Sequence, residues 1–148
     1  MLKPLSRNDD VGRWAARGAA AACFCFALFQ AALVLGAPLG GMTWGGSSPP
    51  VLPPPMRAAS AAAAVYLVLA GAAMLVRSGD WGRRLPRAPF RWFNALLALQ
   101  LALNMLGNLT SKSQAERFGM GGASASAFLL CLIAAVFIRE KETSGSIT

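Results

Sequence analysis

The sequence predicts an all-α integral membrane protein, a single domain (1–148) of four antiparallel transmembrane helices. Of the 148 residues, 55% are hydrophobic and only 14% are charged, whereas about a quarter of the residues in a soluble domain are charged. The few charges leave long uncharged runs, and a helix needs about 20 mostly apolar residues to cross a bilayer. Four such runs occur, over residues 18–56, 58–76, 92–111 and 118–138.

The spans are predicted from these runs and from the residues that end them. Gly36 and Pro38 mark the end of the first span, because neither residue continues a helix well. A basic segment precedes this span, but its apolar run exceeds the roughly 7–15 residues of a signal peptide, which favours an uncleaved anchor. We place the four spans at about residues 18–39, 58–76, 90–109 and 119–138.

The basic residues predict which side of the membrane each segment faces. Eleven of the 14 Lys and Arg residues fall in the N-terminal tail, the 77–91 connection and the C-terminal tail. Cytoplasmic segments hold most basic residues, and four spans return both termini to the same side. Both termini and the Arg-rich 77–91 loop are therefore expected in the cytoplasm, in a multi-pass protein of the plasma membrane, here a bacterial inner membrane.

The inventory of reactive residues argues against an enzyme and against a metal or cofactor site. The chain has no His, and Cys23, Cys25 and Cys131 form no C-x-x-C pair. The acids are expected outside the membrane, with Glu116 in the outer connection. The net charge of +8 is attributed to cytoplasmic anchoring, so membrane lipids are expected as partners and nucleic acid is not.

The third span carries the best candidate for a binding site. Gln100, Asn104 and Asn108 recur every four residues, which places them on one helix face. Amide groups both donate and accept hydrogen bonds, and Gln30 and Tyr66 are candidates to face them from other spans. The five residues form either interhelical hydrogen bonds or the polar wall of a cavity for a small molecule or a lipid headgroup.

The fourth span opens with small residues at helical spacing. Gly119, Ala123 and Ala127 lie four apart, and so do Gly122 and Ser126. Small residues let helix backbones approach closely, so this face is expected to pack against another helix. That helix belongs either to the same chain or to a partner, which is a different protein or a second copy of this one.

Two outer segments are candidates for contacts at the membrane surface. The 40–56 loop has two Gly pairs around Trp44 and five prolines. It is either a stiff connector with Trp44 at the interface, or else a cap over the outer mouth of the bundle or a docking surface. The segment after the third span gathers polar groups for a headgroup or partner contact, or else for a helix cap with a surface ion pair. Its candidates are Asn108, Ser111, Ser113, Glu116 and Arg117.

Two patterns carry a resemblance to a known family. The first is Gly36-Ala37-Pro38-Leu39-Gly40 with Gly45-Gly46, Leu52-Pro53, Arg57 and Ser60, and the second is Asn108, Ser111, Ser113, Glu116 and Arg117. Over about residues 30–136 the chain resembles an uncharacterised family of small bacterial four-helix integral membrane proteins. The resemblance implies that the outer loop and the 108–117 segment face each other. It departs after Arg117, where a proline is expected and glycines follow.

These observations lead to two hypotheses of function. The first is a non-catalytic structural or accessory subunit that packs against partner helices through its small-residue face. The second is the binding or transport of a small neutral or amphiphilic molecule beside the third span. An amide ladder bonded within its own bundle would favour the first hypothesis, and a cavity beside the ladder would favour the second.

Overall fold

The computed structural model describes residues 7–82, 85 and 88–138, and this part of the chain is all-helical, as predicted. Its long helices are α1 (Arg7–Val34), α2 (Pro54–Ser78), α3 (Ala88–Leu109) and α4 (Gly121–Phe137). Two 3-10 turns, at Gly40–Met42 and Trp44–Gly46, lie between α1 and α2, and a π-helical turn at Ala115–Met120 leads into α4. The predicted cytoplasmic residues Lys3, Arg83, Arg84, Arg87, Arg139 and Lys141 lie outside the described residues.

Three helical segments of the described chain are long and apolar enough to cross a membrane: Asn8–Val34, Pro54–Ser78 and Ala115–Phe137. Three of the four predicted spans are therefore helices with the length and composition of a membrane span. Helix α3 is not among these segments, because its 22 residues include Arg91 and a row of side-chain amides that lower its hydropathy.

Helix α1 ends at Val34, five residues before the predicted end of the first span. Gly36 has a φ of 91°, a left-handed conformation that residues other than glycine rarely adopt. The N–H groups of Gly36 and Ala37 donate to the carbonyls of Leu33 and Ala32 at 3.1 and 3.0 Å. This pair of bonds is a Schellman motif, which closes the helix before Pro38 is reached.

The core lies where the start of α1 meets the end of α2, which we call the basal end of the bundle. Small side chains dominate it, and Ala16, Ala19 and Cys23 of α1 are no more than 1% exposed. A Cβ atom added to Gly71 of α2 would lie 2.8 Å from the ring of Phe24, so the absence of a side chain sets the spacing of the two helices. Close packing of small residues therefore holds this end together.

An ion pair fixes the connection after α2 to α1 at the basal end. The Nε and Nη2 atoms of Arg17 each donate to one carboxylate oxygen of Asp80 at 2.7 Å, and the hydroxyl of Ser78 donates to the same carboxylate at 2.7 Å. Arg13 also donates to the carbonyl of Ser78 at 2.7 Å. The hydrogen bonds from Arg17 and Ser78 hold the pKa of Asp80 well below its ordinary value.

Asp80→Asn is expected to lower the melting temperature in detergent by a few degrees, because Arg17 loses a charged partner with two hydrogen bonds. Since the pKa of Asp80 is depressed in the folded protein, its stabilising effect is complete above the ordinary Asp pKa of about 3.9 and declines as the pH falls below it. Thermal unfolding of both proteins at several pH values measures the difference.

The melting temperatures of wild type and Asp80→Asn should therefore converge on acidification. Asp10→Asn removes the same charge from an exposed position in α1 and serves as the control. A difference between wild type and Asp80→Asn that stays constant from about pH 7 to about pH 3 would contradict this role of the ion pair.

Candidate functional site

A cavity of about 630 Å³ lies in the half of the bundle away from the basal end, which we call the distal end. It is lined by all five predicted ligand-binding residues: Gln30, Tyr66, Gln100, Asn104 and Asn108. The structure therefore brings residues from α1, α2 and α3 to one place. The three helices also contribute apolar side chains, and the outer loop, the π-helical turn and α4 complete the walls. These further lining residues are Phe26, Leu67, Leu97 and Leu101 of the three helices, Trp44 and Gly45 of the loop, Glu116 and Met120 of the turn, and Ser124 of α4.

Small residues leave the space that the cavity occupies. Ala62 and Ala63 form the α2 wall, and a Cβ atom added to Gly107 of α3 would meet nothing within 4 Å. The three amides of α3 lie on one face over about 12 Å, at a rise of about 1.5 Å per residue. One wall of the cavity is thus polar, and the walls that face it are largely apolar.

The amide ladder is not bonded to its own bundle. Within the described chain, the side chains of Gln100, Asn104 and Asn108 form no hydrogen bond with another residue. The Oε1 atom of Gln30 is buried and has no partner among the described residues. Asn104 is exposed and Gln100 and Asn108 are half-buried, so the ladder amides are accessible from the cavity. A buried polar atom normally finds a partner in the protein or in water, and Gln30 Oε1 is such an atom without one.

Asn94 shows the alternative role of an amide on the same helix. Its side chain is fully buried, and its Nδ2 atom donates to the carbonyl of Cys131 on α4 at 3.3 Å. It lies outside the lining of the cavity. Asn94 therefore joins α3 to α4, and the ladder residues further along α3 do not have this structural role.

Glu116 lies in a different environment from the one expected of it. It was placed in the outer connection, with no acid at membrane depth, but its side chain is only 4% exposed and it lines the cavity. It lies in the π-helical turn, within the apolar segment Ala115–Phe137. Ser111 is also buried, at 2% exposure, so neither residue is available for the surface contact predicted for them.

The spacing Ser-x-x-Glu at Ser113 and Glu116 is the sequence signal that could have placed Glu116 in a helix. In a capping box the Ser hydroxyl accepts from the N–H three residues later. The N–H of Glu116 donates to Ser113 Oγ at 3.4 Å, so the helical segment begins before the predicted start of the fourth span. Such a start draws Glu116 out of the loop and into the first turn.

The carboxylate of Glu116 joins the outer loop to the segment before α4. It accepts from the backbone N–H of Gly45 at 3.1 Å and from the hydroxyl of Ser111 at 2.5 Å. The N–H of Lys112 donates to the carbonyl of Gly45 at 3.4 Å. The outer loop and the 108–117 segment therefore face each other, which is the arrangement expected from the resemblance.

No surface ion pair forms at this position within the described chain. The Nη2 atom of Arg117 donates to the carbonyl of Ser111 at 2.7 Å. The Glu116 carboxylate accepts hydrogen bonds from two neutral groups, the N–H of Gly45 and the hydroxyl of Ser111. Arg117 and Trp44 are exposed and Ser113 is half-buried, so these three predicted contact residues remain accessible. Trp44 and Gly45 of the outer loop line the cavity, which favours a cap over a stiff connector as the role of this loop.

The capping loop holds three successive residues in left-handed conformations. Trp44, Gly45 and Gly46 have φ values of 57°, 80° and 71°. Such a conformation costs a residue other than glycine about 1 kcal/mol or more, so the bonds of Gly45 must offset the strain at Trp44. A Cβ atom on Gly46 would lie 2.7 Å from the backbone nitrogen of Ser113, which leaves no room for a side chain.

The predicted small-residue face of α4 divides between the core and the surface. Ala127 is 1% exposed and packs in the core, but Gly119, Gly122, Ala123 and Ser126 are exposed. The first alternative, in which this face packs against another helix of the same chain, is therefore wrong for these four residues. The other helices contact a neighbouring face of α4, whose buried residues are Gly121, Ser124, Ala127, Cys131 and Ala134.

No protein-family model, curated protein or solved structure matches the chain. The lining of the cavity sets what it can do chemically. Its amides can donate to and accept from neutral polar groups, and one carboxylate lies among them. Within the described residues, no three His, Cys, Asp or Glu side chains come together as metal ligands would.

Gly46→Ala is expected to detach the capping loop, because the added methyl group would collide with the Ser113 backbone and alanine disfavours a φ of 71°. The free energy of unfolding should fall by about 1–3 kcal/mol, and limited proteolysis should cleave the loop faster. Gly41→Ala is the matched control, since a Cβ atom there meets nothing within 4 Å. Equal proteolysis of the two variants would show that the loop is not held at Gly46.

Proposed function

We propose that this protein binds a small amphiphilic molecule in the distal cavity of a four-span membrane bundle. The observation that carries the proposal is the cavity of about 630 Å³ beside a ladder of amides that have no partner in the described chain. Small-molecule sites commonly measure about 300–1,000 Å³ and combine an apolar lining with a few polar groups. The polar α3 wall and the apolar walls facing it match an amphiphile.

In this proposal α3 also crosses the membrane, which gives four spans in all. Its 22 residues extend about 33 Å, enough to cross a hydrocarbon core of about 30 Å. The amides that lower its hydropathy line the cavity, and polar groups at membrane depth usually face the interior of a bundle.

Contacts between helix ends support an antiparallel arrangement. Arg13 at the start of α1 bonds Ser78 at the end of α2. A Cβ atom on Gly12 would meet Ile138, which follows α4. The side chain of Asn94 near the start of α3 bonds Cys131 in the second half of α4.

The membrane location and orientation rest on charge. We propose a plasma membrane of bacterial type, with both termini and the Arg-rich loop in the cytoplasm, because basic residues concentrate in those segments. The capping loop then lies on the outer side and the cavity opens near the outer leaflet. We further propose binding or transport without chemical conversion, since the chain has no His to act as an acid or base.

Cysteine labelling tests the four-span arrangement. In a background without the native cysteines, a membrane-impermeant maleimide should label Ser47→Cys and Lys112→Cys in intact cells. Leu85→Cys should react only after permeabilisation. These three positions are exposed in the structure, so access depends on the side of the membrane. Labelling of Lys112→Cys and Leu85→Cys from the same side would mean that α3 does not cross.

Native mass spectrometry of the full chain, extracted gently from its own membrane, tests the bound molecule. We expect a reproducible small bound mass in wild type that Asn104→Leu removes while gel filtration shows that the variant stays folded, because the Asn104 amide bonds no other described residue. Asn8→Leu makes the same exchange at an exposed position outside the cavity and should keep the mass. A wild-type chain without any small mass, or a mass kept by Asn104→Leu, would contradict ligand binding.

A second candidate function is that of an accessory subunit, which packs against a different protein or against a second copy of this chain. The observation in its favour is the outward position of Gly119, Gly122, Ala123 and Ser126, at spacings that suit helix contacts in membranes. The hydroxyl of Ser126 donates to the carbonyl of Gly122 at 3.0 Å, so this hydroxyl does not need a hydrogen-bond partner on a neighbouring helix. Recovery of the chain in a stoichiometric larger complex, without a small mass, would favour this candidate.

A further inference from the structure

We propose that the molecule bound in the distal cavity is an organic cation, an amphiphile of the ammonium class, whose charged end lies at Glu116 and Trp44. This inference rests on the proposed function, because it names the chemical class of the ligand of the same cavity. Three observations carry it: a buried carboxylate without an ion pair, an aromatic ring on the same wall, and amide oxygens without partners.

The carboxylate of Glu116 lacks a compensating positive charge within the described chain. Burial of a charge is costly unless it is paired, and this side chain is 4% exposed. Its hydrogen bonds come from Gly45 and Ser111, which are neutral donors. Because a carboxylate offers about four acceptor positions, these two bonds leave capacity for a cation in the cavity that Glu116 lines.

The described basic side chains form no ion pair with Glu116, and none of them lines the cavity. Lys112 is exposed, and Arg117 donates its Nη2 group to the carbonyl of Ser111 at 2.7 Å. The ion pair of Arg17 with Asp80 lies at the basal end of the bundle. Arg57, at the start of α2, is likewise absent from the lining of the cavity. Among the described residues, Glu116 is thus the acid that lines the cavity and no basic side chain lines it, which is the arrangement expected where the positive charge comes from a ligand.

Trp44 adds an aromatic surface to the carboxylate. It lines the same cavity and precedes Gly45, whose N–H donates to Glu116. The loop holds Trp44 at a φ of 57°, a conformation that a tryptophan does not adopt without cost. The face of an indole ring attracts a cation, and aromatic and anionic groups together are typical of ammonium sites.

The rest of the cavity suits the chain of an amphiphile. Phe26, Leu67 and Leu97 offer apolar contacts, and the unpartnered Oε1 atom of Gln30 presents the negative end of an amide dipole. An anionic headgroup would be repelled by Glu116, and a neutral headgroup would leave the buried carboxylate uncompensated. The charge of the cavity thus distinguishes between molecules that its size alone would accept.

Equilibrium binding to the full chain in nanodiscs of an uncharged glycolipid, which has no ammonium group to compete, tests this inference with two probes. Decyltrimethylammonium carries a permanent positive charge, and N,N-dimethyldecanamide has a neutral headgroup on a matched hydrocarbon chain. Empty nanodiscs correct for partition into lipid. Wild type is expected to bind both probes and to prefer the cation.

Glu116→Gln keeps the shape and an acceptor oxygen but removes the negative charge. Because a quaternary ammonium has no N–H donor and is attracted by charge, the variant should bind the cation about tenfold more weakly and the neutral amide about as well as wild type does. Trp44→Leu should weaken binding of the cation by about threefold through loss of the ring. Asp10→Asn removes the same charge at an exposed position in α1 and is expected to bind both probes as wild type does.

The outcomes separate this inference from the proposed function. Equal cation binding by wild type and Glu116→Gln, with the neutral probe bound, overturns the cation site and leaves the cavity as a binding site. If wild type binds neither probe, the cavity does not bind amphiphiles of this class. Gel filtration and thermal unfolding show whether Glu116→Gln folds. If it does not, Trp44→Leu is the test variant, and a preference of this variant for the cation equal to that of wild type overturns the proposal.

Discussion

The arrangement of the distal end depends on the buried carboxylate of Glu116. A carboxylate can be buried only where donors reach it, and the donors here come from the outer loop and from the segment before α4. The loop must therefore adopt its left-handed conformation for Gly45 to reach Glu116, and the helical segment must begin early enough to bring Glu116 inward. One acid thus couples the position of the cap to the start of the last membrane segment.

The two ends of the structure differ in how closely their helices pack. At the basal end, alanine, glycine and cysteine residues pack closely, and Arg17 and Asp80 fix the connection after α2. At the distal end, the same preference for small residues has the opposite effect, because Ala62, Ala63 and Gly107 face a space that no large side chain enters. A closely packed half can hold helix positions while the other half stays open to a ligand.

Side-chain amides take two roles on one helix. Asn94 is fully buried and bonds the backbone of α4, which makes it part of the packing. Gln100, Asn104 and Asn108 lie further along α3 and have no partner in the described chain. The side-chain group is the same in both roles, but Asn94 lies six residues before Gln100, outside the four-residue series, where α4 comes close enough to bond. The ladder could be found by its four-residue spacing, but its availability to a ligand could not.

The sequence by itself determined the properties that depend on neighbours along the chain. Long uncharged runs predicted an all-helical membrane protein, and helical spacing placed Gln100, Asn104 and Asn108 on one face of α3. Tertiary structure decided the burial of Glu116, the place of the loop over the cavity and the outward position of most of the small-residue face. Hydropathy and periodicity are local, whereas the bond from Gly45 to Glu116 joins residues 71 positions apart. Such a contact exists only once the helices have brought the two segments together.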